Sequence, residues 1–184
     1  MTQFLTSLLK QIPLLKGDTI SIILHSSDTD PSYSLIPDPP VLDIHASRLP
    51  DDWYIRIPRS LASAGVRNII LSSDVQWIGD DPAPAEVVIT DHIACHVPSP
   101  LTGSADARFG QVFIDMRDAY SYERSPGDAP VILWHSLTVG DLADEELSVA
   151  KSAGCRVAGH SIAPWAICAR AAGCTFHAAV KPVT

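Results

Sequence analysis

The chain has no apolar run long enough to cross a bilayer: its longest are about five to eight residues, against the ~20 that a spanning helix needs. A membrane helix is excluded, and no membrane partner is expected. Basic charge is also scarce. The 184 residues hold 13 Lys and Arg against 21 Asp and Glu, a formal net charge of −8. The cations are scattered singly, so no stripe is available to track a phosphate backbone, and nucleic acid is not an expected partner. Cysteine is sparse and unpatterned. Cys95, Cys155, Cys168 and Cys174 have neither Cys-x-x-Cys nor zinc-finger spacing, and three of them lie in apolar stretches where a free thiol packs as a small hydrophobe. Such usage is expected of a reduced, cytoplasmic protein. The N-terminus lacks the basic segment of a secretory signal; within 1–15, Phe4, Leu5, Leu8, Leu9 and Ile12 recur at helical spacing and predict an amphipathic helix.

What is present is enough apolar content, 46% of residues, to build the core of one domain spanning 1–184 without disulfides or metal. Short runs rich in aliphatic and β-branched residues recur at 19–24, 41–44, 68–71, 86–90, 131–134, 156–158 and 175–180. Helical stretches at 53–64, 142–153 and 164–172 fall between them, each stopped by a glycine. The alternation predicts an α/β fold, and strands apolar at nearly every position predict burial on both faces. The Pro- and Ser-rich stretches 28–40 and 97–106 read as loops.

From Glu86 onward the sequence reads EVVITDHIACHVPSPLTGSADARFGQVFIDMRDAY, and 153–180 reads AGCRVAGHSIAPWAICARAAGCTFHAAV. A strand ending Asp-His-Ile, a loop closing Pro-Leu-x-Gly, then Arg-Phe-Gly and Asp-Met-x-Asp-Ala-Tyr follow in one order. Together these segments, with weaker likeness over 53–71, resemble the trimeric purine nucleoside phosphorylase and methylthioadenosine phosphorylase family. The resemblance implies a twisted mixed β-sheet flanked by helices and a homotrimer with active sites near subunit boundaries. It also implies a shortened segment near 28–40 and the absence of the family's C-terminal helix.

Carried over residue by residue, the resemblance places the family's first phosphate loop after the strand 19–24, where His25, Ser26, Ser27 and Asp28 stand in place of glycines. The histidine of its second phosphate contact matches His45, but the arginine two residues earlier is Asp43, which inverts the charge of the site. The family's Asn-Ala-Ala-Gly turn corresponds to Ser73, Asp74, Val75 and Gln76. The purine-reading glutamate falls at Asp141 and Leu142, and the purine-reading asparagine at Thr184. Ser161 matches a phosphate-contacting serine, Phe113 the phenylalanine that reaches a neighbour's sugar site, and His160 replaces a methionine beneath the ribose.

Asp43 and His45 sit two apart, so in one extended strand both point to the same face, where a carboxylate orients an imidazole for proton transfer. His135 and His160 each end an apolar strand, at the edge where α/β sheets gather ligand contacts. Asp43, His45 and His160 are therefore the candidate catalytic residues. Ser26, Ser73, Asp74, Phe113, His135, Asp141 and Ser161 are the candidate substrate-binding residues, and Asp43, His45, Asp74, His135 and His160 are expected to line one pocket. Asp91 and His92 read as local architecture at a strand end. His92 and His96 have i, i+4 spacing, but the segment reads as strand into loop, so neither a metal nor a cofactor is expected. Three functions follow: a repurposed enzyme doing acid/base chemistry on a small, mostly uncharged substrate; an altered nucleoside phosphorylase or nucleosidase; and a non-catalytic trimeric binding protein.

Overall fold

The computed structural model describes residues 2–25, 32–45, 51–95, 97–103, 114–121, 130–136 and 141–183. Helix α1 (Thr2–Gln11) and a short 3-10 turn (Ile12–Leu14) lead into β1 (Thr19–His25), β2 (Ser32–Pro37), β3 (Pro40–His45), α2 (Asp51–Ser63) and β4 (Asn68–Trp77). After two short strands, β5 (Val87–Val88) and β6 (Asp91–Ile93), come β7 (Ile132–His135), α3 (Asp144–Ser152), β8 (Cys155–Gly159), α4 (Ile162–Ala171) and β9 (Thr175–Val183). The nine strands form one mixed sheet in the order β2-β3-β1-β4-β8-β7-β6, with β9 branching off to pair β4 and β5. This is the twisted, helix-flanked α/β sheet expected from the sequence.

The seven strands read from the apolar runs are all present, and two more appear. β2 lies inside the stretch read as a loop, pairing antiparallel with β3 so that Ser34 faces Asp43 and Ser32 faces His45. It is the terminal strand of the order, where a proline such as Pro37 interrupts no ladder on its open side. β6, the second addition, pairs parallel with β7. Helices α2 and α4 end at Gly65 and Gly173, whose φ values of 100° and 79° are backbone conformations that side chains with a Cβ resist.

The expected burial of strands on both faces holds only in part. In β1, Ile20, Ile22 and Leu24 are buried, whereas Ser21, Ile23 and His25 are half-exposed; β3 alternates likewise between buried Leu42 and Ile44 and half-exposed Val41, Asp43 and His45. One sheet face therefore packs on the core, together with Trp53 and Leu61 of α2 and Trp165 of α4. The opposite face of β1 and β3 stays partly open, and it carries the polar strand ends. The thiols of Cys155, Cys168 and Cys174 are buried, and burial pushes the first up to about 11 and the second to about 12. They behave as packed hydrophobes, as expected.

A smaller core lies beneath α3, where Ile78, Trp134, Leu142 and Ala150 meet. Trp77 packs instead against the main core, with its indole Nε1 donating to the Asp81 carbonyl at 2.7 Å and its ring 4.9 Å from the Arg156 guanidinium. A Cβ added at Gly79 would stand 2.6 Å from a Trp77 ring carbon and 2.9 Å from Asp81 Oδ1. Since the ring is pinned, Gly79→Ala is expected to destabilise the fold by about 1–3 kcal/mol. Urea denaturation checks this, as a lower midpoint with an unchanged slope.

Candidate functional site

The parallel strands β7 and β8 run side by side, with His135 opposite Gly159, so their C-terminal ends bring His135, Ser136 and His160 to one edge of the sheet. This edge opens into a cavity of about 450 Å³, within the range usual for small-molecule sites. It is lined by Asp52 and Tyr54 from the first turn of α2, by the loop from Val97 to Gly103, and by Pro164 of α4. The Tyr54 hydroxyl donates to Ser161 Oγ across 3.4 Å, tying α2 to the start of α4 at the cavity. No lysine or arginine lines it among the described residues.

His135 is the most enclosed titratable group there, only 6% exposed. Burial pushes its imidazole below the ordinary histidine range, and the Gly159 carbonyl, which favours the charged ring, offsets this only in part. Its Nδ1 lies 3.3 Å from Gly159 O. A carbonyl oxygen only accepts, so the proton of the neutral ring sits on Nδ1 and Nε2 keeps its lone pair. The same carbonyl accepts from the Ser136 amide at 3.1 Å. His160 follows on the next strand end, half-buried and in the cavity lining. A neutral imidazole with a free acceptor nitrogen, in a cavity with no lysine or arginine among its described lining, is equipped to take a proton.

Asp43 and His45 share one face of β3, as the spacing predicts, but they do not line this cavity. They meet His25 of β1 instead: His25 Nε2 is 3.2 Å and His45 Nε2 3.3 Å from the same oxygen, Asp43 Oδ1. Asp74 is also outside the cavity lining, so of Asp43, His45, Asp74, His135 and His160, expected in one pocket, only His135 and His160 line this cavity. Ser73 and Asp74 are not in a turn. They lie in β4, where Ser73 pairs with Leu24 of β1 and Asp74 with Lys181 of β9, and the Ser73 hydroxyl donates to the Asp74 carbonyl at 3.2 Å. Pairing with β1 up to Ser73 and with β9 from Asp74 onward keeps these residues in the strand, in place of the turn that the resemblance implied.

Asp141 is exposed just before α3, next to Leu142, whose amide donates to Gln76 Oε1 at 3.1 Å. Ser161 occupies the N-cap of α4 without a side-chain cap bond. Ser26, Phe113 and Thr184 lie outside the described residues. Asp91 and His92 serve local structure as expected: Asp91 Oδ1 accepts from the His92 amide at 2.8 Å, and the His92 ring bonds Tyr120 at 3.0 Å. Tyr54 and Ser136 are among the cavity residues that were not anticipated. Tyr54 sits on a helix read only for its apolar stripe, and Ser136 follows the strand end already marked by His135.

No family model and no curated protein matches the chain. Solved structures do match in fold. A Schistosoma purine nucleoside phosphorylase in complex with hypoxanthine superposes with a TM-score of 0.74 at 17% identity, covering 99% of this chain and 84% of that one. The Schistosoma mansoni enzyme in complex with inosine gives 0.74 at 16% identity, with 99% and 83% covered. A purine nucleoside phosphorylase in complex with ribose-1-phosphate gives 0.71 at 16%, with 95% and 86% covered. The chain thus shares the purine nucleoside phosphorylase fold over nearly its whole length.

Proposed function

We propose that the protein is a small-molecule enzyme built on the nucleoside phosphorylase fold, using acid–base chemistry on a nucleoside-sized, mostly uncharged substrate. The observation that carries this reading is the cavity itself: two imidazoles and four hydroxyl-bearing side chains line it, burial lowers the pKa of one imidazole, and no lysine or arginine is among its described lining. Hydrolysis is the reaction that such a set supports with fewest additions. Nε2 of His135 takes a proton from water as the water oxygen bonds to the substrate, and the departing group leaves with the bond's electron pair and a proton from His160. Ser136 and Tyr54 orient the substrate. N-glycosides, bound by the fold's solved relatives, are the first candidates to test.

A second reading, retained phosphorolysis, is favoured by one observation: Ser161 stands at the start of α4 beside the cavity, where helix amides attract an anion. Product analysis separates the two. Incubation with inosine, adenosine and guanosine is expected to release free base and free ribose at a rate independent of phosphate. Sugar phosphate formed only when phosphate is added would replace hydrolysis by phosphorolysis. Neither binding nor turnover across nucleosides and neutral glycosides would sink both and leave a binding protein. The trimer belongs to the same proposal, and light scattering at three times the 19.8 kDa chain mass is its expected result.

A further inference from the structure

The parallel pairing of β1 with β3 puts His25 and His45 at the same register, and the two-residue period of β3 brings Asp43 to the same face. The rings stack with centroids 4.5 Å apart and planes 10° from parallel. Both Nε2 atoms approach one carboxylate oxygen, at 3.2 and 3.3 Å, and the three donor atoms all lie within 4.8 Å of one another. Yet Asp43 Oδ1 is buried and makes no hydrogen bond. The nitrogens are close enough but their N–H directions miss it, and alignment is what makes such a contact a bond.

A buried carboxylate oxygen without a hydrogen bond is costly. Three donor atoms within 4.8 Å of one another lower that cost when the stacked rings turn to take a cation between them. The spacing fits. Ligands bound at about 2.0–2.1 Å to a tetrahedral ion stand roughly 3.3–3.4 Å apart, close to both separations observed. Two imidazoles and one carboxylate suit zinc and its transition-metal neighbours, whereas magnesium and calcium take oxygen ligands. The side chains are 44%, 45% and 31% exposed for His25, His45 and Asp43, which leaves an entry path and room for water in a fourth position. We propose that His25, Asp43 and His45 form a binding site for a single divalent transition-metal ion of the zinc class, on the open sheet face and apart from the cavity.

The test is calorimetric titration of chelator-treated protein with Zn²⁺, repeated with Co²⁺ for its visible absorption. One ion per chain is expected, with a Tm rise of about 5 °C or more at a hundredfold excess over Kd. Altering a residue that merely orients a ligand commonly costs 10–100-fold in affinity, so His25→Ala and His45→Ala are each expected to weaken binding by about a hundredfold or more. Asp43→Asn, which keeps the shape and loses the charge, is expected to do the same. His177→Ala, a half-buried histidine on β9 bonded to the Ser121 carbonyl, should leave the titration unchanged. Circular dichroism confirms that each variant folds. Absence of binding by the folded wild type, undiminished binding in both histidine variants, or equal affinity for Mg²⁺ would overturn the proposal.

Discussion

Replacing His135 by Asn is expected to cut kcat by about 10²–10⁴ while leaving the fold in place, the loss typical of removing a positioned general base. The substitution is chosen for what it keeps. The Asn amide nitrogen stands near the Nδ1 position and can donate to Gly159 O, so no buried acceptor loses its partner, whereas the acceptor at Nε2 disappears. A binding protein would show no turnover to lose, and a purely structural His135 would show a stability change with kcat intact. The pH profile gives a second readout. Burial lowers the His135 pKa, so the neutral, proton-accepting ring persists below the ordinary value of about 6.5, and the acid limb of kcat/KM is expected below that pH. The sign for stability runs the same way. Below about pH 6.5 the unfolded chain takes up a proton that the folded chain resists, so stability falls as pH drops toward the folded value. Activity at low pH must therefore be measured beside a circular dichroism signal, and an acid limb above pH 6.5 would count against His135 as the base.

Local pattern reaches some features of this protein and not others. The period of two along β3 suffices to put Asp43 and His45 on one face, and a run of aliphatic residues suffices to make β1 and β7 strands. β2 escapes because its sequence, SYSLIP, is half polar and bounded by proline, the composition of a loop; only its place at the sheet edge makes those residues tolerable in a strand. His25 escapes for another reason. It is adjacent to His45 through a parallel register between strands 20 residues apart, a pairing fixed by the sheet and not by either segment. The same holds for Tyr54 and Ser161, 107 positions apart. The resemblance put His45 at a strand end, and the apolar run before it put His160 at another, as found. The resemblance misled at Ser73 to Gln76, because pairing with β1, β8 and β9 extends β4 through those residues.

The largest expected effect on stability is at Trp165. It lies on the inner side of α4, fully buried, edge-on to Tyr54 at 6.1 Å and 84° between planes. Trp165→Ala is expected to cost about 3–5 kcal/mol, the range for removing a large buried aromatic side chain, out of the roughly 5–15 kcal/mol that holds a domain together. Trp165→Phe should cost far less. The indole Nε1 is buried without an acceptor, a defect worth about 1–3 kcal/mol; Phe removes that donor along with part of the ring's volume. The two terms oppose each other, and the net change is expected within about 1 kcal/mol of zero. Urea denaturation of both variants decides it, and a Phe variant as unstable as the Ala variant would show that the indole's polar edge matters to the fold. The Ala variant carries a functional consequence as well. Without the Trp165 ring, Tyr54 loses the surface that holds it toward Ser161, so the cavity wall loosens and KM should rise more than kcat falls, the opposite of the split expected for His135→Asn.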